Sequence, residues 1–251
     1  MKILFLGYGR TDSNLISRIE EKSCVSRIDH TTEIVTDFSA YDLVISYGYK
    51  HIISETCFSS MKRPALNLHL SYLPYNRGSD PNFWSFVENT PGGVTIHEIN
   101  KGIDTGPVIY QKYVNFSEGE NSFRATYDRL KSEIEALFMD NIDHIFAGNY
   151  KVEKQRGFGS YHRKSDMMDD VGDWTIAIAE YLEKYDQENH GTRAKLAIVD
   201  EIEKVRTNNN VNWMDLLRLA IKASPTDAKK LINRINSDDN KISKLFEQLG
   251  K

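Results

Sequence analysis

Cysteine is scarce in this chain: Cys24 and Cys57 are the only two among 251 residues. They have no metal-ligand spacing, which excludes a disulfide scaffold, gives no reason to expect a metal, and fits reduced thiols in the cytoplasm. Long hydrophobic runs are missing too. Nothing approaches the roughly 18–20 apolar residues of a membrane span, so no membrane partner is expected. Neither sign of charge dominates, with 32 Lys and Arg against 36 Asp and Glu and a net charge of −4. That balance argues against a mainly electrostatic hold on nucleic acid, and none is expected as a partner. The opening apolar stretch, Met1 to Gly7, is too short for a secretory signal and runs straight into Gly9-Arg10-Thr11-Asp12. It reads as a buried first strand.

What is there is ordinary globular material, 40% hydrophobic and 27% charged, long enough for one large or two modest domains. Lys2–Leu6 is a continuous apolar strand, followed by the turn Gly7-Tyr8-Gly9. A helix is expected from about Ser13 to Glu21, with Leu15, Ile16 and Ile19 on one face. Glu33–Thr36, Leu43–Tyr47 and Pro64–Leu68 are strand candidates. Apolar strands alternating with helices predict an α/β chain with a doubly wound, Rossmann-like parallel sheet and its site at the carboxyl ends of the strands. Val94–Glu98 and Val108–Asn115 read as a strand pair joined by a loop carrying Asp104. A long helix is expected from Ser122 to Phe146, with Phe123, Tyr127, Leu130, Ile134, Leu137, Phe138, Ile142 and Ile145 as its core stripe. The character changes after Gly148. Beyond Asp173 only helical patterns remain, including a capped start at Ser224-Pro225-Thr226-Asp227. We therefore expect a catalytic domain over residues 1–165 and an all-helical C-terminal appendage over 166–251. Its apolar stock, among it Trp174, Tyr181, Trp213, Leu216, Leu217, Leu245, Phe246 and Leu249, is expected to cover the core and to supply a homodimer contact. The Lys/Glu-rich stretch Glu180–Arg206 reads as a solvated helix surface.

The informative motif is Asn67-Leu68-His69-Leu70-Ser71-Tyr72-Leu73-Pro74, followed by Gly102-Ile103-Asp104-Thr105-Gly106-Pro107. Two residues apart on an extended strand end, Asn67 and His69 project from one face. An amide donor beside an imidazole, joined by a carboxylate from elsewhere, can hold a developing oxyanion and move a proton. Gly7 to Asn14 links the first strand to the first helix. The backbone there, with Gly9, Arg10, Thr11, Ser13 and Asn14, can hold a phosphate, while Asp12 or Ser13 can equally serve only as a helix cap. Arg77 can reach a phosphate or a carboxylate. Trp84 can stack on a base or pack in the core. Tyr161, His162 and Arg163, in a glycine-rich loop, can close over a phosphorylated ligand.

The run from Ala65 to Gly78 resembles the signature of the folate-dependent formyltransferases. Gly93-Val94-Thr95-Ile96-His97-Glu98 and Gly102 to Pro107 are similar to that family's second and third blocks, in the same order. One departure is Leu70, where the family often has proline; it alters loop stiffness, not chemistry. The resemblance covers roughly residues 1–165. It implies a formyltransferase-like fold, 10-formyltetrahydrofolate as donor and co-substrate, no metal, and Asn67, His69 and Asp104 as catalytic residues. Asp104 is expected to raise the basicity of His69. The resemblance also implies a pterin pocket formed largely by backbone, at Lys50, His51, Ile52 and Ile53 on one side and Ile99, Asn100 and the loop to Asp104 on the other. In the family's purine branch a substrate phosphate sits where Gly9 to Asn14 lie here. The block Asn76–Ser85, with Thr90–His97, looks most similar to amino-sugar N-formyltransferases of surface-glycan pathways and to peptide-synthetase formylation domains. The expected acceptor is a nucleotide-linked amino sugar. Another small phosphorylated amine, an aminoacyl-tRNA, or a non-catalytic folate-binding scaffold remain the alternatives.

Overall fold

A computed structural model describes residues 1–167, 171–185 and 225–249. Its main sheet has six strands: β1 (Lys2–Gly7), β2 (Arg27–Thr31), β3 (Leu43–Tyr47), β4 (Leu66–His69), β6 (Gly93–Glu98) and β7 (Val108–Tyr113), in the order β2-β1-β3-β4-β6-β7. The first four run parallel, as alternation with helices requires. β6 then pairs antiparallel to β4, and β7 to β6. The sheet is thus mixed, not wholly parallel: the nine residues between β6 and β7 are too few for the crossover a parallel neighbour needs, whereas the longer segment from β4 to β6, with a helix at Pro81–Val87, returns the chain antiparallel. A small two-stranded sheet pairs β5 (Arg77–Gly78) with β8 (Tyr161–His162).

Side-chain alternation covers both faces of the sheet. Ile3, Phe5, Ile45, Tyr47, Leu66 and Leu68 share one cluster with Leu15, Ile16 and Ile19 of α1 (Leu15–Glu20) and with Leu130, Ile134 and Phe138 of α4 (Phe123–Asp140). Leu4, Leu6 and Val44 face the other way, into a cluster with Phe38, Cys57 and Ala65. Each such buried side chain contributes about 1.5–3 kcal/mol.

Two expected elements moved. The second strand lies at Arg27–Thr31, not at Glu33–Thr36. As an edge strand it carries little apolar signal, while Val35 packs on the second cluster from a loop. The long helix is broken at Asn141 into α4 and α5 (Ile142–Ala147). Asn141 leaves the helical conformation, and its side-chain amide donates to the Leu137 carbonyl (2.8 Å), a local bond that competes with helix continuation. At the other end of α4, Ser122 caps by accepting from the Ala125 N–H.

The chain divides into two compact units, Met1–Glu180 and Tyr181–Lys251. Residues past 165 stay with the first unit through Arg124 N–H to Trp174 O and Ile178 N–H to Asn121 O, both 2.8 Å. In the second unit a helix spans Pro225–Leu249, starting at the expected proline, with Ile242 and Leu245 buried. Trp213, Leu216, Leu217 and most of Glu180–Arg206 lie outside the described residues. Among the described residues no helix is long and apolar enough to cross a membrane.

Candidate active site

β4 ends at His69, and the loop between β6 and β7 returns Asp104 to it. Asp104 sits in the left-handed region (φ 50°), which Asp tolerates better than most residues. Two residues on, a Cβ at Gly106 would run into the Glu98 carbonyl, so the loop's return demands glycine. Asn100 shapes the same loop by accepting from Gly102 N–H (3.1 Å) and the Thr105 hydroxyl (2.8 Å).

The Asp104 carboxylate is surrounded. Oδ1 accepts from Asn67 Nδ2 (2.9 Å) and lies 3.4 Å from His97 Nε2; Oδ2 accepts from the Gly78 N–H (2.9 Å) and lies 3.6 Å from His69 Nδ1. Burial alone would raise the Asp104 pKa. Attraction to His69 and His97, together with the hydrogen bond from the Gly78 N–H, outweighs it and holds the carboxyl well below the usual range. Asp104 is therefore ionised at any ordinary pH.

His69 is 7% exposed, and its Nε2 is 3.0 Å from the Asn76 carbonyl oxygen. A carbonyl only accepts, so Nε2 carries hydrogen and Nδ1, facing Asp104, is the nitrogen left to gain or lose a proton. Burial lowers the His69 pKa, and Asp104 only partly offsets this. The expected direction of Asp104's effect holds, yet desolvation wins and the resting imidazole is neutral at pH 7.

His97 was not singled out as a site residue from the sequence, although it faces the same carboxylate. Its Nδ1 donates to the Glu98 carbonyl (2.8 Å), and its Nε2 lies 3.2 Å from Asn67 Nδ2. Register explains the meeting, because Asn67 is the direct cross-strand partner of His97. In this arrangement the Asn67 amide hydrogens are taken up by Asp104 and His97. Donation to an incoming oxygen means that one of them changes partner.

The remaining candidates fall into three groups. Ile53 and Ile99 both pack on the second core cluster, while Lys50, His51, Ile52 and Asn100 are exposed; Lys101 and Glu55 form an ion pair. Ile52 and Ile103 are apolar yet exposed, at 78% and 39%. The second group is the loop after β1. Asp12 Oδ2 accepts from Gly9 N–H, the Ser13 hydroxyl donates to Glu135, Lys131 donates to the Asp12 carbonyl, and Arg10 is paired with Glu20. Arg10 to Asn14 line a cavity of about 390 Å³ with Asp128, Lys131, Ser132 and Glu135. α1 has only six residues, and Asn14 makes no side-chain cap.

The third group surrounds β5 and β8. Arg77 donates twice to Gln155 Oε1, at 3.1 and 2.7 Å. Trp84 is buried, with its indole stacked on the His162 ring (3.9 Å between centroids, 6° between planes), and His162 Nε2 lies 2.9 Å from Glu88 Oε1. Tyr161 is exposed, and the Arg163 N–H donates to Asp166. The structure thus brings Asn67, His69 and Asp104 together, and stacks the buried Trp84 on His162.

A mixed α/β sheet with an Asn–His–Asp cluster at the end of the last of its parallel strands defines a class. Residues 6–142 match the family model described as Formyl transferase, and the chain belongs to that family. It is 37% identical to the formyltransferase PseJ from Anoxybacillus kamchatkensis, solved in complex with UDP-4,6-dideoxy-4-formamido-L-AltNAc and tetrahydrofolate. That match has a TM-score of 0.64 and covers 72% of this chain and 97% of that one. A dTDP-4-amino-4,6-dideoxyglucose formyltransferase of Mycobacterium tuberculosis is 30% identical over 142 residues, covering 57% of this chain and 59% of that relative. The chain thus spans under two thirds of that curated relative. A methionyl-tRNA formyltransferase of Listeria innocua is 32% identical over 115 residues, 45% of this chain and 36% of that protein.

Proposed function

We propose that this chain transfers a formyl group from 10-formyltetrahydrofolate to the amine of a nucleotide-linked amino sugar. The observation that carries the reading is the ionised Asp104 set between Asn67 and His69 at the end of β4. When bound, the folate supplies an activated formyl carbon. Asn67 meets the formyl oxygen as it gains negative charge, through an amide hydrogen released by His97 or Asp104, and His69 joins it once Nδ1 carries a proton. Each such donor is worth about 2.7–4 kcal/mol in the transition state. Asp104 accepts the proton leaving the attacking amine, directly or through water, and passes it to His69 Nδ1, which hands it to the folate nitrogen as the bond from that nitrogen to the formyl carbon breaks and tetrahydrofolate leaves. His97 keeps the Asn67 amide turned toward Asp104.

The two segments flanking the cluster fit a pterin. Tyr49 and Ile53 from one segment and Ile99 from the other pack on one apolar cluster, while Ile52 and Ile103 face solvent. The fit is to a flat, hydrogen-bonding ring with an apolar side. For the acceptor, Arg10 to Asn14 supply polar groups, and Phe158 and Tyr161, 97% and 43% exposed, offer aromatic surface for a base. Similarity to PseJ and to the mycobacterial enzyme supports a 4-amino-4,6-dideoxyhexose as the acceptor class. The test is a mass-spectrometric screen of UDP- and dTDP-linked amino sugars with the folate donor. A gain of one formyl group on at least one of them is expected. Transfer to aminoacyl-tRNA alone would overturn the acceptor, and transfer to none would overturn the reading.

A further inference from the structure

Gln155 stands in a polar run, Lys151 to Arg156, with nothing in its surroundings to mark it. Its side chain nevertheless ties together the two backbone segments that meet at Asp104. Nε2 donates to the carbonyls of Asp104 (2.7 Å) and Gly106 (2.8 Å), and Oε1 accepts from Arg77 Nε (3.1 Å) and Nη2 (2.7 Å). Carbonyls only accept and a guanidinium only donates, so the amide can sit one way round, with all four of its bonding positions used.

Both anchored segments bear on the carboxylate. Asp104 itself holds the left-handed conformation, which persists in a non-glycine residue where surrounding contacts over-determine it. The next residue after Arg77 is Gly78, whose N–H holds Asp104 Oδ2. Gln155 is itself fixed two residues away by the paired backbone bonds of Glu153 with Val108, both 2.8 Å, on β7.

We propose that Gln155 is a positioning residue that sets where the Asp104 carboxylate stands between His69 and His97. It makes no contact with reacting atoms and acts through the Asp104 backbone and through Arg77–Gly78. The inference rests on the catalytic reading of Asp104, and it changes the part of Arg77 from a ligand contact to the far end of this brace.

The test compares Gln155→Met and Gln155→Leu, both uncharged, near glutamine in size and without the amide's hydrogen bonds. Histidine titration by NMR reads the geometry without any acceptor. Asp104 raises the His69 pKa, so a loosened carboxylate should lower it in both variants. Turnover should fall between about ten- and a hundredfold, the effect of a displaced catalytic group, with the donor's KM nearly unchanged. In an Asp104→Asn background either substitution should cost almost nothing further. An unchanged His69 titration, or an equal loss of turnover with and without Asp104, would overturn the inference and leave Gln155 a stabilising contact only. If one variant does not fold, the other carries the titration. A wild-type protein without transfer activity would sink the functional reading, whereas the titration would still decide the brace.

Discussion

The ends of β4 and β1 lie on one sheet, separated only by β3, yet their polar groups are spent in opposite ways. At the end of β4, Asn67, His69, His97 and Asp104 bond to one another and to fixed backbone, and His69 and His97 are buried, at 7% and 1% exposure. At the end of β1, Arg10 is half exposed and paired with Glu20, and the cavity wall carries Asp12, Asp128 and Glu135 against Arg10 and Lys131. Charges locked into one geometry cost little reorganisation when charge develops beside them. Charges in exposed surface pairs exchange partners cheaply, since each such pair contributes only about 0–1 kcal/mol. The first arrangement suits chemistry and the second suits an acceptor that arrives and leaves.

That contrast can be broken most severely at β4. Asn67→Ala and His69→Ala should each lower turnover by about two to three orders of magnitude, with donor affinity little changed. Steady-state kinetics beside calorimetric titration of the folate would show this, and near wild-type turnover in either variant would remove that residue from the chemistry.

His97 should matter less, because it holds Asn67 and does not touch the formyl group in this account. His97→Gln keeps a polar atom near Asn67 and should cost about tenfold in turnover, the scale for a group that orients another. A loss as large as that of His69→Ala would mean that His97 itself carries the proton.

A smaller effect is expected in the acid limb of stability. The His69 pKa is depressed below its ordinary 6.5, so on acidification the unfolded chain binds that proton first. Stability should therefore fall as pH drops below about 6.5, and the depressed Asp104 should add a second loss below about 3.8. Denaturant unfolding at pH 7.5 and 5.5 should show the first loss in the wild type and a reduced loss in His69→Gln. An equal loss in both would place the titrating group elsewhere.

The least effect belongs to β1. Arg10→Ala should leave stability within about 0.5 kcal/mol of the wild type, while raising the KM of the nucleotide sugar more than that of the folate. Equal shifts in both constants would erase the division of labour between the two strand ends.

Much of this was legible in the sequence for physical reasons. The apolar runs of β1, β3 and β4 are buried on both faces and so stand out. Asn67 and His69 advertise themselves by two-residue spacing at a strand end, and Asp104 by the glycines that its tight loop requires. The edge strand β2 was misplaced because one face and one edge of it meet solvent and carry little apolar signal. Strand direction has no period of its own, so the antiparallel β6 and β7 were read as a pair but not as a break in a parallel sheet. His97 lay hidden inside a strand pattern, where inward-facing alternation alone hinted at it. Gln155 had no signal at all, since its partners are backbone carbonyls and an arginine distant in sequence.

The central claim is that the ionised Asp104, held between two imidazoles, drives the transfer without helping to hold the donor. Single-turnover formyl transfer by Asp104→Asn, measured together with folate binding to the same protein, tests it most directly. We predict unchanged folate affinity with transfer slowed by about two orders of magnitude or more. Transfer at close to the wild-type rate, or lost folate binding with an intact transfer rate at saturating donor, would contradict it.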